Sequence, residues 1–174
     1  MIFLYILLGI IAVIIILAII APKTYDVSRS IVINKARPQV YDYLRYVKNQ
    51  DHWSPWKNKD PNMKQSYEGT DGEIGFVAKW EGNKEVGMGE QELKHLVENE
   101  RIVTALRFLK PWKSQSDGYF NLKEIDSGTT EVSWGFAGKN PIPFNIMMLF
   151  WNFEKAVGKD FDEGLSELKR VLEN

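Results

Sequence analysis

Glu90, Tyr119 and His52 are the side chains whose type and setting best suit them to exchange a proton or to hold a ligand. Glu90 lies in the stretch GMGEQEL, where the alternation of a strand would place it on the same face as Met88. If that face points inward, Glu90 is a carboxylate in an apolar cavity, the best candidate for an acid, a base or a ligand anchor. If the face points outward, Glu90 is an ordinary surface residue. Because no closely spaced set of acid, base and nucleophile accompanies these residues, the sequence assigns no catalytic residue.

The composition excludes several other kinds of chemistry. The chain of 174 residues has no cysteine and two histidines, which excludes disulfides and cysteine-ligated zinc and leaves little for a histidine-based metal site or triad. Its 22 basic and 23 acidic residues give a net charge of −1, so charge gives no reason to expect a nucleic-acid partner. Gly87 and Gly89 lack the context of a phosphate-binding loop. We therefore predict no metal, no cofactor and no nucleic acid.

Aromatic side chains are unusually frequent, at 13% of all residues. On the predicted strands they recur with apolar neighbours at every second position, in the sets Phe76, Ala78 and Trp80, then Leu106 and Phe108, then Trp134 and Phe136. This period is typical of plain core packing. It is also typical of an apolar ligand pocket, which aromatic side chains and a few polar groups usually line. We predict that several of these residues face a cavity.

The segment HWSPW, residues 52–56, adds two tryptophans in a loop that contains proline. They fit either the rim of a cavity entrance, where an indole N–H can hold a polar ligand group, or a plug packed on the end of a sheet. With residues from the C-terminal segment, the candidate ligand-binding set is Trp53, Trp56, Phe76, Trp80, Met88, Glu90, Leu106, Phe108, Tyr119, Trp134, Phe136, Phe153 and Val157.

Most of the chain has the alternation of strands. It begins over residues 24–34, where Val27, Ile31 and Ile33 share a face. Pro38 and the apolar stripe that follows it predict a short helix. Six further strands are predicted between turn signals, over residues 63–68, 75–81, 87–97, 101–109, 114–125 and 129–138. The short connections between them favour antiparallel pairing.

The C-terminal segment changes to a helical period. Apolar residues recur every three or four positions from Phe150 to Leu172, which predicts an amphipathic helix over residues 144–173. The order of strand, short helix, six strands and long helix predicts the α+β class. We expect a twisted antiparallel sheet of seven strands, with its apolar face covered by the C-terminal helix.

Residues 2–21 contain no charged side chain and are apolar apart from Gly9. A helix of this length spans about 30 Å, the thickness of the hydrocarbon core of a bilayer. We interpret it as a single-pass membrane anchor, which divides the chain into a transmembrane segment, 1–22, and a globular domain, 23–174. A cleaved secretory signal fits less well because the run is long and no basic residue precedes it. A buried helix fits least, because the run is apolar on every face.

The basic residues near this segment predict its orientation. Lys23, Arg29, Lys35 and Arg37 follow it, and no basic residue lies before it. The positive-inside rule then places the globular domain in the cytoplasm. The predicted hairpin tip KPWK, residues 110–113, is either a soluble turn or a contact with lipid headgroups.

Four segments in this order carry a resemblance to a known superfamily: SIVINKARPQVYDYLRYVKNQDHWSPW, FVAKWEGNKEVGMGEQEL, GYFNLKEIDSGTTEVSW and the final amphipathic helix. Together they resemble the helix-grip superfamily known as SRPBCC or START-like, and most closely its polyketide cyclase/dehydrase-like branch. The resemblance covers nearly all of residues 25–173. It implies a sheet that curls around the long helix and leaves an apolar tunnel between them. Its members include lipid carriers, hormone receptors and cyclases, so the fold alone assigns no activity.

Our preferred hypothesis is a membrane-anchored domain that binds a small hydrophobic or lipid-like ligand in this tunnel and is not an enzyme. The first alternative is a cyclase/dehydrase-like enzyme that uses Glu90, Tyr119 or His52 as acid or base. The second is a non-catalytic regulatory or protein-interaction module with a filled core. The sequence names no protein partner.

Overall fold

One antiparallel sheet dominates the part of the chain that the computed structural model describes, residues 2–150 and 152–174 without the side chain of Phe153. Within that part the sheet has seven strands, β1 Thr24–Ile33, β2 Lys64–Glu68, β3 Val77–Glu81, β4 Met88–Val97, β5 Arg101–Lys110, β6 Ser114–Asp126 and β7 Thr129–Lys139. Their order is β1-β7-β6-β5-β4-β3-β2, so β2 to β7 form a meander and β1 pairs with β7. The predicted strands match these bounds to within about two residues because turn residues separate the alternating runs.

The described chain also forms helices before, between and after the strands. They are α1 Ile2–Ile20, α2 Arg37–Arg45, α3 Pro55–Lys59 and α4 Phe153–Glu173, with 3-10 helices over Val47–His52 and Phe144–Leu149. The single helix predicted over 144–173 is therefore wrong in its first third. The side chain of Asn152 accepts a hydrogen bond from the backbone N–H of Lys155 at 2.8 Å and caps α4.

Helix α4 covers the inner face of the sheet. Its residues Phe161, Leu165 and Leu168 are at most 2% exposed and belong to the main core. The ring of Phe161 lies 4.4 Å from that of Trp134, measured between centroids. Gly164 permits this approach, since a Cβ there would lie 2.6 Å from the Trp134 ring. The predicted α+β helix-grip fold, an antiparallel sheet curved around a C-terminal helix, is confirmed.

The short helices close the end of the sheet at which β1 stops. Helix α2 buries Val40, Tyr41 and Leu44 there. The carboxylate of Asp71, in the β2–β3 loop, accepts hydrogen bonds from the backbone N–H groups that begin the first 3-10 helix, at 2.8 and 3.2 Å. These contacts fix the chain that leads to Trp53 and to α3.

Helix α1 lies mostly outside this body. Its side chains are exposed along its length apart from those near its end, where Ala18 is buried. It is long and apolar enough to cross a membrane, judged by length and composition alone. It contacts the rest of the chain through the second 3-10 helix, where the Asn145 amide donates hydrogen bonds to the carbonyl oxygens of Ala18 and Ala21, at 2.8 and 3.1 Å.

Candidate ligand-binding site

A cavity of about 650 Å³ lies between the inner face of the sheet, α3 and α4. Its size falls within the range of small-molecule pockets, about 300–1,000 Å³. Apolar side chains make most of its wall. The strands contribute Trp80, Leu106, Phe108, Trp134 and Phe136, and the helices contribute Trp56, Val157 and Phe161.

Gly89 positions two of these aromatic rings. It pairs with Trp80 on one side and with Phe108 on the other, and all three residues face inward. A Cβ at Gly89 would lie 2.5 Å from the Trp80 ring, so a larger residue would displace it. Without that Cβ, the rings of Trp80 and Phe108 meet above β4 with their centroids 5.9 Å apart. The glycine thus lets the two rings build a continuous apolar wall across three strands.

A few uncharged polar groups interrupt this wall. The hydroxyls of Tyr25 and Ser116 share a hydrogen bond of 2.7 Å. The Gln91 side-chain amide donates to the Thr104 hydroxyl at 3.2 Å, and that hydroxyl donates to the carbonyl oxygen of Gly118 at 3.4 Å. All five residues border the cavity. They can offer donors and acceptors to one polar group of a bound molecule.

The Tyr25 hydroxyl keeps its proton at neutral pH. Burial is the largest influence on it and raises its pKa above the ordinary value of 10.0. The hydrogen bond to Ser116 acts in the opposite direction, and the charge of Asp117 adds to the rise in pKa. Tyr25 therefore presents a neutral hydroxyl to the cavity.

A polar belt closes one side of the cavity. Lys59 of α3 pairs with Asp160 of α4, with Nζ and Oδ2 2.6 Å apart. Lys57 donates to the side-chain oxygen of Gln65 at 2.9 Å, and the Gln65 amide donates to Asp51 at 2.7 Å. These contacts join α3 to α4 and to β2. Lys59 and Asp160 are thus paired with each other, and Lys57 and Asp51 are joined through Gln65.

Eight of the predicted ligand-binding residues border the cavity: Trp56, Trp80, Leu106, Phe108, Tyr119, Trp134, Phe136 and Val157. Except for Tyr119, whose side chain is on the outer face, those of the sheet lie on its inner face, as the alternation of the strands predicts. Bordering a cavity is a matter of geometry, so the role of these residues in binding stays a prediction.

Trp53 and Phe76 lie in the core and do not border the cavity. Each is 2% exposed. The Trp53 ring packs edge-on against those of Trp134 and Phe120, with centroids 4.9 and 6.0 Å away. Trp53 therefore packs in the core, as expected if residues 52–56 plug the end of the sheet. Trp56, at the start of α3, instead borders the cavity. The Phe76 ring stacks on Tyr67.

The structure places Met88 and Glu90 on the outer face of β4, opposite the cavity. On this strand Gly89 and Leu93 face inward and are buried. The Glu90 carboxylate accepts a hydrogen bond from Arg107 on the outer face of β5, at 2.7 Å. The interpretation with Glu90 inside the cavity is therefore wrong, because the register of β4 turns this face outward.

Tyr119 also has its side chain on the outer face. Its ring lies over Gly135, and its hydroxyl donates to the Asp26 carboxylate at 2.6 Å. Burial, followed by the hydrogen bond with Asp26, raises the pKa of Tyr119. His52 lies in the first 3-10 helix, with its Nδ1 3.3 Å from the Tyr43 hydroxyl. The three residues predicted to exchange protons thus have separate partners and do not converge on the cavity.

Several cavity residues escaped the sequence analysis. Tyr25 could have been found, because it shares the face of Val27 at the start of β1. Gln91 could have been found because it shares a strand face with Gly87 and Gly89. Ser116 and Thr104 gave no signal, since small hydroxyl residues are common on any strand. The Phe153 side chain, predicted to bind ligand, lies outside the described part of the chain.

Comparisons with known proteins agree on the fold. No protein-family model and no curated protein matches the chain. Protein CV1439 from Chromobacterium violaceum is similar in structure, with a TM-score of 0.59 and 16% identity over 88% of this chain and 99% of that one. The Aha1 dimer from Colwellia psychrerythraea has a TM-score of 0.55 and 17% identity, covering 86% and 96% of the two chains. Ara h 8.0201 has a TM-score of 0.54 and 10% identity, covering 86% and 97%.

The similarity to these three structures shows that the chain has the helix-grip fold. Identities this low establish the shape and leave the activity open.

Proposed function

We propose that this protein is a membrane-tethered domain that binds a small hydrophobic or lipid-like molecule between the sheet and α4. The cavity of about 650 Å³ carries the proposal. Its walls are mostly aromatic and aliphatic side chains from the sheet, from α3 and from α4. Burial of apolar ligand surface against them contributes about 25 cal/mol per Å².

The polar groups in the wall point to an amphipathic ligand. Tyr25, Ser116, Gln91 and Thr104 carry hydroxyl or amide groups and no net charge. They suit a hydroxyl, a carbonyl or a protonated carboxyl group at the end of an apolar molecule. A ligand without any polar group would leave these donors and acceptors bonded among themselves.

Binding is favoured over catalysis by the placement of the acid and base candidates. Glu90 and Tyr119 lie on the outer face of the sheet, each with a charged partner, and His52 is bonded to Tyr43. Among the described residues at the cavity, the buried polar side chains are the hydroxyl residues Thr104 and Ser116, and the partly buried carboxylate of Asp160 is paired with Lys59. We therefore propose a carrier or sensor and no reaction.

The apolar helix supports the membrane part of the proposal. We propose that residues 1–22 form a single-pass anchor and that residues 23–174 form the binding domain on the cytoplasmic side. The anchor holds the domain beside the bilayer, where a lipid-like ligand is concentrated. Lys23, the first charged residue after the helix, suits the cytoplasmic interface.

A fluorescent fatty acid tests the binding. The full chain is held in amphipol and titrated with a dansyl-labelled fatty acid, and saturable binding with a dissociation constant of about micromolar order is expected. Leu106→Glu introduces a charge into the apolar wall. Because an unpaired charge is costly to bury, this variant should bind at least about tenfold more weakly.

Leu109→Glu is the matched control, since the same change is made on the outer face of the same strand, at a residue that is 41% exposed. It should bind like the wild type, and both variants should unfold within a few degrees of it. Non-saturable binding by the wild type, or equal affinity in the two variants, would contradict the proposal.

A further inference from the structure

The end of the sheet next to α1 gathers several turns. Thr24, the first residue of β1, pairs with Lys139, the last residue of β7. Lys110, at the end of β5, pairs with Met88, at the start of β4. The β5–β6 turn and the segment after β7 therefore lie at the same end of the sheet as the last turn of α1.

Asn145 ties the segment after β7 to that helix. Its side chain is fully buried, and its amide donates to the carbonyl oxygens of Ala18 and Ala21. These carbonyls belong to the C-terminal end of α1, where no further helical turn supplies donors. The segment formed by residues 141–150 is thus held within hydrogen-bond distance of the point at which α1 ends.

The same segment exposes large apolar side chains. Phe144 and Phe150 are 68% and 79% exposed, and Ile142, Met147 and Leu149 are exposed with them. Trp112, at the tip of the β5–β6 turn, is 63% exposed. A contiguous group of this kind marks a contact with a partner or a membrane.

The charges around this group favour a membrane. Lys23, Lys110, Lys113 and Lys139 are exposed at this end of the sheet. Lysine and tryptophan together are typical of the layer between lipid headgroups and acyl chains, because the lysine stem lies along apolar surface while its ammonium group reaches water or phosphate. The group also lies beside the end of α1, an apolar helix long enough to span a membrane, which favours a membrane over a protein partner.

The cavity reaches the same place, because its border includes Trp112, Lys139, Phe144, Met147 and Met148. We infer that residues 110–113 and 141–150 form a membrane-docking surface, which rests in the interfacial layer of the bilayer that α1 spans and turns the mouth of the cavity toward lipid. The inference rests on the proposed anchor. A ligand can then pass between bilayer and cavity without exposing its apolar surface to water.

Spin labels at single cysteines test the inference, because the native chain contains no cysteine. The full chain is placed in phosphatidylcholine nanodiscs with one nitroxide at Phe144→Cys, Met147→Cys, Ile10→Cys or Ile125→Cys. Ile10 reports on the anchor. Ile125 is exposed on β6, about 35 Å along the strand from the docking surface, and serves as the aqueous control. Collisions with oxygen, which dissolves in lipid, are compared with collisions with a water-soluble nickel chelate.

Labels at positions 144 and 147 should show a several-fold higher ratio of oxygen to nickel collisions than the label at position 125, close to the ratio at position 10. Equal ratios at positions 144, 147 and 125, with position 10 in lipid, would overturn the docking surface and leave the anchor standing. An aqueous label at position 10 would overturn both. None of these readouts depends on a ligand in the cavity, so failure of the binding proposal is seen separately.

Discussion

At the scale of single residues, the character of the cavity depends on which side chains of each strand face inward. On β4, Gly89 and Leu93 face inward, whereas Glu90 and Glu92 face outward. A shift of one residue in register would exchange the two sets and bring two carboxylates into the apolar interior. Arg107 faces outward on β5 and bonds to both carboxylates. The three charges therefore stabilise the register from outside the cavity.

Glu92→Gln should remove part of the dependence of stability on pH. The hydrogen bond from Arg107, followed by that from Lys94, lowers the pKa of Glu92 below its ordinary value of 4.5. The ionised carboxylate therefore stabilises the fold fully above the unfolded-state pKa, and this contribution is lost as the pH falls through the lower folded-state pKa. Thermal unfolding from pH 7 to pH 3 should show the wild type more stable than the variant at pH 7, with a difference that shrinks toward pH 3.

Glu100→Gln is the control for this experiment, because Glu100 is an exposed carboxylate in the β4–β5 turn. Its effect on the melting temperature should be small at every pH. A Glu92→Gln effect that stayed constant across the range, or grew toward low pH, would show that the ion pair with Arg107 does not hold β4 to β5.

At the scale of elements, the position of α4 determines how much space is left beneath it. The helix lies close to the sheet at Gly164, above Trp134. Trp134 is held in place by Trp53 and Phe161, with centroids 4.9 and 4.4 Å away. This cluster fills one part of the interior, and the cavity extends beside it toward β3 and β5. The position of α4 thus determines both its contact with Trp134 at Gly164 and the volume of the cavity.

Gly164→Ala should destabilise the protein although alanine is the better helix former by about 1 kcal/mol. The added Cβ would lie 2.6 Å from the Trp134 ring and 3.0 Å from Pro55. Overpacking of this kind costs about 1–3 kcal/mol, so the free energy of unfolding should fall by up to about 2 kcal/mol in urea titrations of the full chain. The neighbouring exposed change Glu163→Ala should have almost no effect. A gain in stability from Gly164→Ala would mean that α4 can move away from the sheet.

The sequence predicts the elements better than it predicts the site. Period-two alternation between turn residues is a strong local signal, so the bounds of the strands follow from it. The apolar spacing of α4 continues toward Phe150, before the helix begins. The sequence pattern therefore did not show its start, which the capping bond of Asn152 marks. Phe76 and Phe108 both face inward, but Phe76 is packed in the core and Phe108 borders the cavity. The difference depends on tertiary packing, which the alternation along a strand does not show. Gly87 and Gly89, on the face opposite Glu90, have no side chains, so the pattern of apolar and polar residues did not show which face of β4 points inward.

At the scale of the whole molecule, one end of the sheet combines the features from which we infer contact with a membrane. The last turn of α1, the apolar segment 141–150 and one border of the cavity lie there. The opposite end carries α2 and the β6–β7 turn, with Arg37 paired to Glu124 at 3.3 Å. Under the proposed anchoring, this polarity would turn the cavity border near α1 toward the bilayer. The side of the membrane on which the domain lies would then decide which leaflet exchanges ligand with it.

The orientation can be read from two single cysteines in cells that make the full chain. Under the proposed topology, Ile125→Cys lies in the cytoplasm and should react with a membrane-impermeant maleimide only after permeabilisation. Ile2→Cys, at the other end of α1, should react in intact cells. The reverse pattern would place the domain on the outer side, contrary to the direction expected from Lys23 and Arg29. Loss of the label at position 2 together with a shorter chain would mean that the apolar segment is a cleaved signal, and the cavity would then meet lipid without a tether.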